Sequence, residues 1–160
     1  MTNSSSTRSP ETTYREKLWP APWLYIATAL VMPASLLVLL PINAFAGLVT
    51  AVVLYAGCVI LLITGSPVIR VTSTHFLAGK ARLPLSVIGE AAAYEGEEAK
   101  LQTGRSLDAR AWLLIRGWIS PIVRVEVLDE KDPTPYWVVS TRHPKAVVAA
   151  IEAAREAATR

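Results

Sequence analysis

The stretch Trp23–Ile63 reads WLYIATALVMPASLLVLLPINAFAGLVTAVVLYAGCVILLI. It is the core of a longer run, Leu18 to Ile69, that contains no Asp, Glu, Lys, Arg or His. One membrane span takes about 20 apolar residues. The run is too long for one span and fits two, over residues 23–40 and 45–63. Pro41-Ile42-Asn43 between them is a short turn signal. So short a connection makes the two helices an antiparallel hairpin. Pro33 falls within the first helix, where a missing N–H and a ring clash kink it or loosen a turn. Gly47 and Ala51 lie four apart on the second helix. Small residues at that spacing allow close packing, either against the first helix or against another copy.

The flanks set the orientation. Arg8, Arg15 and Lys17 precede the run, and Arg70, Lys80 and Arg82 follow it, while the hairpin tip is uncharged. The positive-inside rule then puts both termini in the cytoplasm of a cell-membrane protein. Trp19, Trp23 and Tyr25 suit an aromatic anchor at that interface. The Ala44-Phe45-Ala46 triplet resembles a signal-peptidase site. The apolar run before it exceeds the usual h-region, and cleavage there would leave a second hydrophobic span at the new terminus.

Outside this run the chain looks like a soluble protein. Over the whole 160 residues, 52% are hydrophobic and 18% charged, with 16 basic and 13 acidic residues giving a net charge of +3. No clustered basic footprint of the kind nucleic-acid binding requires is present. The single cysteine, Cys58, sits in the apolar run and cannot form an intramolecular disulfide. The Ser/Thr-rich start has the composition of a disordered tail. The expected organisation is a tail over 1–17, a transmembrane hairpin over 18–66, and a cytoplasmic domain over 67–160.

That domain reads as short strands and one helix. Val68–Thr72 and His75–Ala78 flank a Ser/Thr turn. A stretch toward Leu83 is interrupted by Pro84, which favours an edge or a bulge over a central strand. A further strand lies near Glu90–Tyr94. The polar segment Glu95–Asp108 is a long connection with room for one helical turn. Strands are expected over Ala109–Gly117 and Ser120–Asp129, where Val123, Val125 and Val127 alternate with Arg124, Glu126 and Leu128. Tyr136–Ser140 is the closing strand. From Pro144 an amphipathic helix places Val147, Ile151 and Ala154 on one stripe, with Val148 beside it. Pro144 suits the first helical position. The fold class is α+β: the hairpin, then an antiparallel β-barrel or sandwich capped by a C-terminal helix.

The segment DPTPYWVVSTRHP, Asp132–Pro144, has the look of a site. Ser140, His143 and Asp132 invite a hydrolase reading, but no nucleophile elbow or oxyanion glycines accompany them. A hydroxyl or imidazole capping the helix at Pro144 explains the same residues. His75 and His143 are the only histidines and have no ligand spacing, and Glu95, Glu97 and Glu98 lack the pattern of a calcium loop. No phosphate-loop or dinucleotide fingerprint occurs. No catalytic, metal or cofactor residue is therefore assigned.

Arg116, Arg124 and Arg142 have the chemistry to meet an anion, or to pair internally with Glu126, Asp129 or Asp132. Arg70, Lys80 and Arg82 lie close in sequence to the membrane exit, where basic residues meet anionic headgroups. Trp112, Trp118 and Trp137 suit core or rim positions, or a peptide groove. The candidate contact residues are Arg70, Lys80, Arg82, Arg116, Trp137 and Arg142.

Four segments carry a resemblance: YREKLWPAPW (Tyr14–Trp23), the hairpin, RGWISPIVRVEV (Arg116–Val127) and DPTPYWVVSTRHP. Together they resemble an actinobacterial family of two-span membrane proteins, a domain of unknown function with a bacterial PH-like domain. The chain departs from it at Asp129-Glu130-Lys131, where a more compact turn is expected. The resemblance implies the anchor and the PH-like module and brings no activity. The expected role is a non-catalytic adaptor for a protein partner or lipid headgroups, with no nucleic acid. The rival from another class is a membrane enzyme acting on lipid or envelope precursors. A third reading is a homo-oligomer formed through the hairpin.

Overall fold

A computed structural model describes residues 11–159. It divides into two compact units, residues 19–66 and the remainder on either side.

The first unit is helical. α1 (Pro22–Ala29) and α2 (Val31–Leu39) are two halves of the expected first helix, and α3 (Ala44–Thr64) is the second. The break falls at Leu30, three residues before Pro33. Pro33 has no N–H for the Ala29 carbonyl, and the turn tightens so that the Leu30 N–H reaches Ala27 O at 3.2 Å. α3 begins at Asn43, whose side chain accepts the Ala46 N–H at 3.1 Å. This is ordinary N-capping of an orphan donor. Gly47 and Ala51 are buried, and a Cβ on Gly47 would stand 3.3 Å from Leu39 Cβ. This small-residue face packs α3 against α2. The segments Pro22–Leu39 and Ala44–Thr64 are each long and apolar enough to cross a membrane.

The second unit contains both sheets and the C-terminal helix. β1 (Thr12–Lys17), β2 (Val68–Thr72), β3 (His75–Ala78) and β4 (Ala81–Pro84) form one antiparallel sheet in chain order. β5 (Ile88–Tyr94), β6 (Trp112–Leu114), β7 (Ile122–Val127) and β8 (Tyr136–Ser140) form the other, in the order β5-β7-β8-β6. α4 (Gly96–Thr103) follows β5, and α5 (Pro144–Thr159) ends the chain.

Several expectations are corrected here. The tail expected over 1–17 is strand from Thr12 onward, and residues 1–10 lie outside the described residues. The domain therefore begins before the hairpin and not at residue 67. Tyr14-Arg15-Glu16-Lys17 alternates between faces, and β1 pairs antiparallel with β2 across the intervening helices. Backbone bonding reaches the junction itself, where the Leu18 N–H donates to Pro67 O at 3.0 Å.

The barrel is not closed, and the second sheet is mixed: β6 runs parallel to β8. The strand expected over 109–117 contracts to three residues, and the 95–108 connection forms a helix of two turns. Pro84 does close an edge strand, where its missing donor costs least.

One core lies between the sheets. Val71, Phe76 and Leu83 from the first sheet meet Val123, Val125, Trp137 and Val139 from the second. α5 covers it with Val147, Ala150, Ile151 and Ala154, the i, i+3, i+4, i+7 stripe of an amphipathic helix. β8 is buried at every position, because its other face carries a second cluster. There Tyr136 and Val138 pack with Ile122 and with Ala99 of α4. A strand covered on both faces reads as a continuous apolar run. Gly79 turns β3 into β4 at φ +63°, a conformation that favours glycine.

Candidate functional site

The segment Asp132–Pro144 resolves into three structural duties. At its start, Asp132 Oδ1 accepts the Thr134 N–H at 2.9 Å, and Asp129 Oδ1 accepts the Lys131 N–H at 3.0 Å. These Asx turns absorb the extra residues before Asp132. The Thr134 bond also holds the Asp132 carboxyl below its ordinary pKa.

In its middle, β8 carries Trp137 into the core. Its ring lies 4.2 Å from that of Trp112 and 6.2 Å from that of Phe76, centroid to centroid. Trp137 is only 6% exposed, which removes it from the candidate contact surface. Tyr136 faces the other way. Its hydroxyl donates to Ser106 O at 3.2 Å and accepts the Asp108 N–H at 2.6 Å, fastening the 95–111 segment to the sheet.

At its end, Ser140 is fully buried. Its Oγ accepts the Arg116 N–H at 3.0 Å and donates to Ile119 O at 3.3 Å. The hydroxyl is committed to backbone groups of the loop before β7, which leaves it in no position to act as a nucleophile. Thr141 accepts the His143 N–H at 3.2 Å, just ahead of α5. It donates in turn to Glu16 of β1.

Glu16 is the centre of this junction. Its carboxylate also accepts the Arg142 N–H at 2.9 Å and the Tyr14 hydroxyl at 2.9 Å. A carboxylate taking several such bonds is a strong clasp, because hydrogen bonds to charged acceptors exceed neutral ones. It joins the strand before the hairpin to the turn between β8 and α5, 125 residues later. Burial pushes the Tyr14 pKa up to about 12, with its bond to Glu16 and the Glu16 charge adding to the effect. The sequence reading assigned no role to Tyr14 or Glu16. Their signal was the alternation of YREK immediately before the apolar run.

The remaining arginines separate. Arg124 lies 3.9 Å above the Tyr136 ring and donates to Gln102 Oε1 at 3.4 Å, in place of the expected carboxylate. It borders a pocket of about 340 Å³ with Glu90, Tyr94, Asp108, Glu126 and Tyr136. Glu126 reaches over Gly89 to accept the Glu90 N–H at 3.2 Å. Glycine makes room for it: a Cβ there would lie 3.1 Å from Glu126 Cβ and closer still to its carboxylate, which would have to move aside. Arg116 is half-buried, its guanidinium 5.9 Å from the Trp118 ring. Arg142 is exposed beside α5. Among the described residues, no group of three His, Cys, Asp or Glu is placed to hold a metal ion.

Arg70 and Arg82 are brought together on the outer face of the first sheet. In register, Arg15 opposes Arg70, Arg70 opposes Leu77, and Leu77 opposes Arg82. The adjacent row, Tyr14–Val71–Phe76–Leu83, points into the core. Successive residues alternate faces, so the arginine row is the outer one, and all three arginines are exposed. Lys80 is exposed in the β3–β4 turn. That turn is at the Val68 end of the sheet, where the Gly79 N–H donates to Val68 O at 2.9 Å.

The family described as "Protein of unknown function (DUF3093)" matches residues 13–151, from within β1 to within α5. No curated protein and no solved structure matches the chain.

Proposed function

The chain belongs to this DUF3093 family, and from that premise we propose that it is a membrane-anchored, non-catalytic binding module. α1–α2 and α3 form a transmembrane hairpin, and the β unit works at the cytoplasmic surface. The observation that carries this reading is the pairing of β1 with β2 on either side of the helices. Entry and exit of the hairpin are paired in one sheet, which supports a topology with both ends of the anchor on one side of the bilayer. The helices support the reading through their surfaces. Ile26, Leu37, Ile42, Phe45 and Leu61 are each more than 70% exposed, and apolar surface of that extent is costly in water. The basic flanks Arg15, Lys17 and Arg70 support a cytoplasmic location for that side.

We read the β unit as PH-like. A four-stranded meander, a second sheet and a C-terminal helix over their shared core match that plan, with the hairpin inserted between β1 and β2. A module of this kind binds a protein partner or lipid headgroups.

Topology is tested with Asn43→Cys and Glu156→Cys, each in a Cys58→Ala background. An impermeant maleimide applied to intact cells should label the first and reach the second only after lysis. The protein should also stay in the membrane pellet through carbonate extraction. Equal labelling of both sites, or release by carbonate, overturns the anchor. Turnover of a lipid or envelope precursor by the purified protein overturns the non-catalytic role.

A further inference from the structure

We propose that the outer face of the β1–β4 sheet, centred on the row Arg15–Arg70–Leu77–Arg82, docks onto anionic phospholipid headgroups of the bilayer that holds the hairpin. This rests on the anchored reading above and assigns the module's ligand.

Charge complementarity carries the argument. Arg15 and Arg70 are directly opposed on neighbouring strands. Opposed residues in an antiparallel pair lie about 4.5–5.5 Å apart, and like charges so placed oppose folding. Among the described residues, no ion pair offsets the arrangement. Arg15, Arg70 and Arg82 take part in none of the ion pairs Lys100–Glu97, Arg110–Asp108 and Lys145–Glu95. Glu16, the acidic residue of β1, points to the opposite face and is held by Tyr14, Thr141 and Arg142. The sheet therefore sorts its charges, with the carboxylate inward and the guanidinia outward.

Position supports the same ligand. Arg15 is three residues before Leu18, and Arg70 three residues after Pro67. At about 3.3 Å per residue, each arginine stands roughly 10 Å along its strand from the point where the chain enters or leaves the anchor. Lys80 extends the basic surface toward that end of the sheet. Arg presents a planar fork of donors that fits phosphate oxygens in pairs. Leu77, half-exposed within the row, adds an apolar contact. The anionic surface potential decays over a Debye length of roughly 8 Å at physiological salt, so part of it is still felt at that distance from the anchor.

The test uses the full-length protein in nanodiscs. Leu77→Cys, in the Cys58→Ala background, carries a donor fluorophore, and the lipid headgroups carry an acceptor. Energy transfer should rise when phosphatidylcholine is partly replaced by phosphatidylglycerol, and should fall at about 1 M salt, where the Debye length is about 3 Å. The combined Arg15→Gln, Arg70→Gln and Arg82→Gln variant should lose the phosphatidylglycerol response. Each arginine near such a surface is worth about five-fold in partitioning, so the three together weigh about a hundred-fold. Arg15→Lys, Arg70→Lys and Arg82→Lys together should restore most of it, and Lys100→Gln with Arg110→Gln should leave it intact. An unchanged thermal melt of the glutamine variant in detergent excludes misfolding. Equal transfer in both lipids overturns the proposal, as does protection of Leu77 by a co-purifying protein in both. Nanodisc incorporation reports the anchor separately and is expected in phosphatidylcholine alone, so a failed anchor and a failed headgroup contact give different results.

Discussion

The two sheets have the same number of strands and share one core, yet they meet their surroundings differently. The second sheet meets the shared core with one face, and on the other α4 and its flanking residues cover Tyr136 and Val138 of β8. Its central strand β8 is buried throughout. The first sheet covers the core with one face only. Its outer face is wet and carries arginines in register. The contrast teaches which sheet is scaffold and which is surface. DPTPYWVVSTRHP has the densest concentration of unusual residues, and it belongs to the scaffold. The plainer strands around the hairpin hold the accessible charge.

Trp137→Ala tests the scaffold most severely. Removing the ring empties the space between Phe76 and Trp112, and such truncations cost about 3–5 kcal/mol. Urea unfolding of the full-length protein in detergent, followed by near-UV circular dichroism, should show a loss of that size. A loss below about 1 kcal/mol would place Trp137 outside the packed core and break the distinction between the sheets.

The clasp between the sheets comes next. Glu16→Ala leaves the fully buried Thr141 hydroxyl and the Arg142 N–H without their acceptor. An unsatisfied buried polar group costs about 1–3 kcal/mol, and the expected loss is about 2–3 kcal/mol. A double-mutant cycle with Thr141→Val should return a coupling of at least about 0.5 kcal/mol, as residues in one network do. Additive effects would mean that β1 is not held to the β8–α5 turn through this pair.

A smaller effect follows from Tyr14. Burial, followed by the Glu16 bond and charge, raises its pKa from about 10 to about 12. A tyrosine more basic in the folded state stabilises that state while protonated. Its contribution is complete below about pH 10 and is lost as pH rises toward 12. Tyr14→Phe should therefore flatten part of the alkaline decline in urea midpoint over that window. The same slope in both proteins would exclude Tyr14 as its source.

The sequence made the helical hairpin legible because two long apolar runs without a charge, joined by a short turn, are a composition signal. It made β2, β3, β7, β8 and α5 legible because each keeps its own hydrophobic period. β1 was hidden because its pattern is short and its partner lies beyond three helices. Strand pairing at that separation leaves no local mark, and the Ser/Thr-rich residues ahead of YREK set the wrong context. The parallel β6–β8 pair was hidden for a related reason. Three residues cannot show a period, and Ala109–Gly117 carried enough apolar residues to suggest a longer strand. The arginine row shows the same limit. Arg70 and Arg82 were visible as basic residues near the apolar run, but Arg15 counted only toward orientation. Only the register places the three in one line.

The smallest stability effect distinguishes the sheets most sharply. Arg15→Gln, Arg70→Gln and Arg82→Gln each change an exposed side chain that makes no ion pair among the described residues. Exposed substitutions away from such features stay within about 0.5 kcal/mol. Arg15→Gln and Arg70→Gln should fall on the stabilising side, because each removes one of two opposed like charges. Thermal melts of the single variants in detergent measure this directly. A loss of more than about 1 kcal/mol from any of them would mean that the row supports the fold. Stability held or raised, with the headgroup response lost, means that the first sheet keeps a surface the fold itself does not require.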